Sequence, residues 1–352
     1  MNRNTGNTPK NPTEDDVDIA VMYNGVCHSD LSMINNEWGL VAGSSDGPED
    51  RRPSLPLVPG HEIVGRALRV GKNAGDRFKE GDIVGLGPWC YSCGKCEQCK
   101  AGDNHCCAKA KMTYCCKFTD ESNPKPVQHY GGFAAAIRTH YSFVVKVPDG
   151  IDLKYAGPLL CAGITVWTPM KTFDIEPDSV IGIVGIGGLG HIALQFANKL
   201  GAHVIAFSRS DAKKDFCMKL GADEYVNTSK QGAFDPYIRK LDMLLLTASP
   251  ETFSIDDHAS LCKPKYGRLH IVGQVGRPME VNSMTLIMKQ IQISGSGAGP
   301  TGQMEEMLQF AAESDVKPMV EMFLHTKVKE ALKKVEDGSI RFRAVLENDL
   351  VK

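Results

Sequence analysis

Eight of the twelve cysteines fall between Cys90 and Cys116, and the stretch CYSCGKCEQCKAGDNHCC spaces several of them as metal ligands would be spaced. Cys93, Cys96 and Cys99 stand at three-residue steps, and Cys107 follows. Thiolates at Cys-x-x-Cys spacing can hold one tetrahedral ion from a tight turn, with a later cysteine closing the loop. Gly94 and Gly102 give the turn the backbone freedom that ligation demands. Four thiolates around one zinc ion leave no position open to a substrate, so such a centre would be structural. Cys90 and Cys106 are additional candidates, and spacing alone leaves open Cys106 in place of Cys107. A thioredoxin-like redox pair fits less well, because no strand-to-helix context surrounds the motif.

A second set is scattered along the chain. Cys27 lies in YNGVCHSDL, the pair His61 and Glu62 in LPLVPGHEIVG, and Cys161 in PLLCAGITVW. Two thiolates and one neutral imidazole balance the charge of a zinc ion and keep its fourth position open. Zinc held in this way is a better Lewis acid than zinc in a four-thiolate site.

The elements that must position these residues are legible in the patterning. From residue 179 the chain reads SVIGIVGIGGLGHIALQFANKLGAHVIAFSRS. The apolar run from Val180 to Val184 leads into Gly185, Gly187 and Gly190 at Gly-x-Gly-x-x-Gly spacing. A helical pattern follows, with Ile192, Phe196 and Leu200 four residues apart, and then the strand HVIAFS. A glycine motif that ends a strand, opens a helix and precedes a second strand predicts a dinucleotide site. Gly185, Gly187, Gly188, Leu189 and Gly190 would face the pyrophosphate, which the helix N-terminus also attracts. An NAD site typically places a carboxylate about 20 residues beyond the first glycine. Here that place reads Ser208-Arg209-Ser210, with Lys213 and Lys214 following. A 2′-phosphate would be welcomed there, so NADP(H) is the expected cofactor, read by Ser208, Arg209 and Lys213.

LDMLLLTAS, GRLHIVGQVG and MKQIQISGSGAG continue the strands. The expectation is an α/β chain with a doubly wound Rossmann domain over 156–296. Residues 1–155 would form a β-rich catalytic domain bearing the cysteine lobe. Residues 297–352, with the amphipathic helix TGQMEEMLQFAAES and the strand FRAVLEN, would return to it.

Bulk properties narrow the partners. A chain of 352 residues suits two domains. A formal charge of −2, from 40 basic and 42 acidic residues, argues against a general nucleic-acid or membrane-surface binder. No uninterrupted apolar run approaches the roughly 18 to 20 residues that span a bilayer. The start, MNRNTGNTPKNPTEDD, lacks the apolar core of a signal peptide and reads as a polar tail. A cytoplasmic protein is expected, and in that compartment clustered cysteines serve more often as metal ligands than as disulfides.

In order along almost the whole chain, GVCHSD, PGHEIVG, EGDIVGLG, the four-cysteine lobe, LLCAGITVW, GIGGLGH and FRAVLEN resemble the zinc-dependent medium-chain dehydrogenases. The likeness is greatest to the cinnamyl alcohol dehydrogenase branch, which reduces aldehydes with NADPH. The resemblance implies a GroES-like catalytic domain and two zinc ions per chain. It implies that Cys27, His61 and Cys161 bind catalytic zinc, with Glu62 as an alternating fourth ligand. Ser29 would pass a proton to the nascent alcohol, His28 would lie near the cofactor pyrophosphate, and Trp38 and Met112 would line the substrate pocket. A homodimer joined through the nucleotide domains and a small alcohol or aldehyde substrate are also implied.

The chain departs from these relatives in three places. They carry roughly twenty more ordered residues before the first cysteine motif, so the catalytic domain is expected to lack a hairpin and expose a sheet edge. LVAGSSDGPEDRRPS is longer than the usual link and is expected to form a surface loop near the pocket mouth. Ser32 stands where relatives usually place a relay histidine. Competing functions are a related zinc dehydrogenase acting on a polyol or an S-hydroxymethyl-thiol, and a catalytically impaired NADPH-binding protein.

Overall fold

A computed structural model describes residues 9–37, 56–114, 116–248, 254–273 and 279–350. The chain divides into two units, Met1–Cys161 with Pro300–Ala312 and Met319–Lys352, and Ala162–Gly299 with Glu313–Pro318. The first unit runs on to Cys161, since the helix Leu153–Pro158 packs on the strands Asp16–Val26 and Arg343–Glu347. Glu313–Pro318 rejoins the second unit, where the Gln195 side-chain amide grips the Lys317 backbone through two hydrogen bonds of 3.0 Å.

The first unit is built on a seven-stranded sheet in the order Val320–Leu324, Arg343–Glu347, Asp16–Val26, Ile63–Val70, Ile83–Leu86 and Val144–Lys146, with Ala136–His140 also paired to Asp16–Val26. Alternation explains the central strand: Val17, Ile19 and Val21 all face the core, where they meet Ile63, Val84, Leu86 and Phe143. The C-terminal strand Arg343–Glu347 pairs antiparallel with Tyr23–Val26 and so enters the middle of a sheet begun more than 300 residues earlier.

No strand precedes Asp16 among the described residues. A separate ribbon, Cys116–Asp120 against Asn123–His129, pairs with no other strand among them. Its second strand carries Pro124 and Pro126, which have no N–H to offer a further strand. The polar segment before Asp16 docks on its turn, with the Asn11 amide donating to Asn123 Oδ1 at 2.8 Å. Residues 38–55, which include the long loop and Trp38, lie outside the described residues.

The second unit is a six-stranded parallel sheet in the order Glu224–Asn227, His203–Ser208, Val180–Val184, Met243–Leu246, Arg268–Ile271, Gln292–Gly295. Continuous apolar runs such as Met243–Leu246 are buried, as parallel strands covered on both faces must be. The helix Gly190–Lys199 buries Ile192, Leu194 and Phe196, and Phe196 packs on Trp167 at 5.2 Å between ring centroids. The stretch MKQIQISGSGAG is strand only over Gln292–Gly295. Met288 and Lys289 still belong to the helix Ser283–Lys289, which Gln290 terminates at φ 53°. Among the described residues no helix is long and apolar enough to cross a membrane.

Candidate active site

The scattered ligands converge through one carboxylate. Cys27 precedes the helix His28–Ile34, and Asp30 Oδ2 accepts from the Cys27 backbone N–H at 2.9 Å, closing the first turn. The other oxygen, Oδ1, accepts from Gly60 N–H at 3.0 Å and lies 3.0 Å from His61 Nδ1. Gly60 has φ 102°, a left-handed conformation that suits glycine and delivers His61 to this place. Asp30 is fully buried and can only accept, so Nδ1 carries a hydrogen and Nε2 faces the sulfurs. His61 Nε2 lies 3.3 Å from Cys161 Sγ, which is 4.0 Å from Cys27 Sγ.

Cys161 is set in a widened π-helical turn, Leu159–Gly163, between the helices Leu153–Pro158 and Ile164–Thr172. Pro158 brings no amide to the helical ladder, and such wide turns recur where a helix must aim a functional side chain.

Glu62 completes the group. Its Oε1 accepts from Arg343 Nη2, whereas the buried Oε2 has no partner. A Cβ on Gly25 would overlap that free oxygen, so only glycine leaves room for it. One ligand atom each from Cys27, His61, Glu62 and Cys161 lies within 4.8 Å of the others, all buried. Two sulfurs, an imidazole nitrogen and an orphaned carboxylate oxygen in so small a space suit a zinc ion. Hydrogen bonding from Cys161 holds the Cys27 thiol well below its ordinary range, although burial opposes this; Cys161 is pushed well up in turn. Burial pushes the His61 imidazole down, but the charge and hydrogen bond of Asp30, aided by Cys27, outweigh it and raise it well above the ordinary value. Burial also raises Glu62 to about 7, against the pull of Arg343. Binding a cation here is therefore coupled to proton release.

The cysteine lobe is built differently. Cys93, Cys96, Cys99 and Cys107 bring their sulfurs within 4.8 Å of one another around the short helix Glu97–Lys100, and Cys107 Sγ lies 3.6 Å from Cys93 Sγ. Gly94 and Gly102 take φ 67° and 91° at the turns. Cys106 is exposed beside His105 and outside the quartet. Backbone hydrogen bonds from Lys95 and Cys96 lower Cys93 to about 6, a thiol ready to ligate.

The remaining residues fall as follows. Ser29 Oγ lies 3.5 Å from Cys27 Sγ, while His28 is exposed. Ser32 is buried in the helix His28–Ile34, and its hydroxyl donates to Oε2 of the exposed Glu37 at 2.7 Å. Met112 is half-buried beside Met33 and Tyr114, and the Tyr114 ring lies 5.6 Å from that of His61.

In the second unit, the three fingerprint glycines answer to different demands. Gly185 has φ 89°, and a Cβ on Gly190 would overlap Gly185 O. A Cβ on Gly187 would meet nothing of the protein within 4 Å, so the space there suits the close approach of a bound pyrophosphate. Gly188 is half-buried, and Leu189 precedes the helix Gly190–Lys199. Ser208 ends its strand and Arg209 is exposed, while Lys213 Nζ donates to Ile186 O at 2.5 Å and so braces the glycine loop.

Three residues escaped the sequence reading: Asp30, Arg343 and Tyr114. The first two stood in view, inside GVCHSD and FRAVLEN. Their roles need the tertiary contact, because Arg343 and Glu62 are 281 residues apart.

The family model for an alcohol dehydrogenase GroES-like domain matches residues 13–149, and that for a zinc-binding dehydrogenase matches 188–313. The chain belongs to the zinc-binding alcohol dehydrogenases. It is 38% identical over 331 residues to an aldehyde reductase of Synechocystis sp., covering 94% of this chain and 90% of that one. A cinnamyl alcohol dehydrogenase structure from Sorghum bicolor superposes with a TM-score of 0.87 at 33% identity, covering 97% of this chain and 92% of that one. The cinnamyl alcohol dehydrogenase of Helicobacter pylori complexed with NADP(H) gives 0.81 at 29% identity, over 95% and 90% of the two chains.

Proposed function

We propose that this zinc alcohol dehydrogenase works as an NADPH-dependent reductase of small aldehydes, aromatic ones of the cinnamyl type included. The observation that carries the reading is the buried cluster of Cys27, His61 and Cys161, three ligands that would leave a held zinc ion a fourth position for Glu62 or a substrate oxygen in turn. Zinc in that place supplies Lewis acidity toward a carbonyl oxygen, and NADPH supplies the hydride. Asp30 holds His61 in the tautomer that ligates. Ser29 Oγ, next to Cys27 Sγ, donates the proton that the product oxygen takes up. Glu62, tethered by Arg343 through Oε1, keeps Oε2 free and would offer it as a further ligand to the ion.

Gly185 to Gly190 bind the pyrophosphate, Ser208 and Arg209 read the 2′-phosphate, and Lys213 supports both loops. Met112 belongs to the substrate pocket. Cys93, Cys96, Cys99 and Cys107 hold a structural zinc ion. The catalytic domain is made of residues 1–155 and 297–352 and the cofactor domain of 156–296, give or take the few residues by which the compact units differ.

A homodimer is supported by the second unit, where Gln292–Gly295 ends the sheet and the neighbouring helix Ser283–Lys289 exposes Met284, Ile287 and Met288. A reducing, cytoplasmic setting suits the free thiols of both centres. The test is NADPH oxidation against a panel of aliphatic and aromatic aldehydes, with zinc content and molecular mass measured on the same sample. Two zinc ions per chain and turnover with NADPH are expected; a zinc-replete protein that turns over no aldehyde would refute the reading.

A further inference from the structure

A third group of sulfur and nitrogen atoms belongs to neither centre. Cys90, Cys116 and His129 are all buried and bring one atom each within 4.8 Å of the others. Cys90 comes from the strand Trp89–Tyr91, and Cys116 pairs directly with His129 across the two-stranded ribbon. The imidazole is already engaged, with Nδ1 2.5 Å from Thr113 O and Nε2 2.8 Å from Arg138 O. Both ring nitrogens are committed to backbone carbonyls, which makes the ring a poor metal ligand. The two thiols instead converge on a single acceptor, each donating to Met112 O at 3.1 Å. Two sulfurs directed at one oxygen, in a dry place without a metal ligand between them, are arranged as a dithiol.

We propose that Cys90 and Cys116 form a buried two-electron oxidation site whose disulfide latches the base of the four-cysteine lobe. With hydrogen peroxide as oxidant, one thiol is converted to a sulfenic acid with release of one water. The second thiol displaces the sulfenic oxygen as another water, and the sulfur–sulfur bond forms. Two electrons pass from the sulfur pair to the peroxide, and both thiol protons leave in water. The lobe ligands Cys93 to Cys107 lie between the two cysteines in sequence, so the crosslink closes a loop around them and limits how far they can separate. The crosslink itself does not depend on the zinc reading of the lobe; the latch does.

Native zinc-loaded protein would be treated with millimolar hydrogen peroxide, alkylated after unfolding and mapped by mass spectrometry. A Cys90–Cys116 linked peptide is expected, with both zinc ions retained, and the link should vanish in Cys90→Ala and in Cys116→Ala. The oxidised protein should release lobe zinc to a chelator at least threefold more slowly than the reduced protein, and Cys90→Ala should show no such difference. Free Cys90 and Cys116 after treatment would overturn the site. So would a third metal equivalent in reduced protein that Cys90→Ala loses. A crosslink with unchanged zinc release would overturn the latch. If Cys90→Ala does not fold, the mapping in wild-type protein and the Cys116→Ala variant decide alone.

Discussion

The two zinc-type centres of the first unit are built on opposite plans. The lobe draws its four sulfurs from Cys93 to Cys107, a single short stretch of half-exposed chain, and needs two turn glycines and little else. The catalytic quartet takes ligands at 27, 61, 62 and 161, all buried, and adds Asp30 and Arg343 to hold them. A local site is held together by its ion; a dispersed site is held together by the fold and then receives its ion. The difference predicts which variants destroy the protein and which only silence it.

The largest contrast is between cysteines of the two centres. A structural zinc can contribute on the order of 10 kcal/mol or more in small domains, against a whole-domain stability of about 5 to 15 kcal/mol. Cys96→Ser is therefore expected to give unfolded or insoluble protein, whereas Cys161→Ser should stay folded with one zinc and no turnover. Circular dichroism and metal analysis on both variants check this. A soluble, two-zinc Cys161→Ser enzyme with full activity would break the comparison.

Next comes the buried ion pair. Removing one partner of such a pair costs about 3 to 5 kcal/mol, because it strands the other charge. Arg343→Leu should lower unfolding free energy by that amount. The double variant with Glu62→Gln should recover much of it, since no carboxylate is then left uncompensated. Denaturant melts of the two singles and the double measure the coupling, and simple additivity would show that Glu62 is indifferent to Arg343.

A smaller effect is expected at Asp30. Losing a carboxylate that orients a metal-binding histidine typically reduces metal affinity or activity by about 10- to 100-fold. Asp30→Asn should therefore weaken zinc retention by the catalytic quartet and leave the lobe zinc in place. Competition with a graded chelator separates the two ions, and equal weakening of both would mean that Asp30 serves the unit as a whole.

The smallest change lies in the second unit. A hydrogen bond to a charged group contributes about 1.5 to 3 kcal/mol, so Arg209→Ala should raise the KM for NADPH by about tenfold or more and leave NADH kinetics nearly unchanged. Equal losses with both cofactors would assign Arg209 to the fold.

Local features were legible in the chain and contacts between distant segments were not. The lobe, the glycine turn and the parallel strands are local patterns, and the residues read from them lie where the patterns require. Cys27, His61 and Cys161, which the structure brings together, were grouped only by matching isolated motifs to one another, because nothing in their spacing speaks of contact. Asp30 and Arg343 were missed for the same reason, since a buried carboxylate and a buried guanidinium look in sequence like ordinary surface charges. Ser32 shows the converse. Its place in a motif marked it at once as a departure from the relatives, and its hydroxyl finds a partner only five residues on, in Glu37.

The strand Arg343–Glu347 carries one more consequence, for the order in which a growing chain can finish this enzyme. Synthesis proceeds from the N-terminus, and Glu62 is made long before the arginine that neutralises it, 281 residues later. The second unit, with its own parallel sheet, can be complete and folded while the first still lacks one strand of its sheet. Until that strand leaves the ribosome, Glu62 lacks the guanidinium that binds it and Tyr23–Val26 lack their antiparallel partner. The cluster of Cys27, His61, Glu62 and Cys161 thus gains its counter-charge only after all four of its own residues have been made.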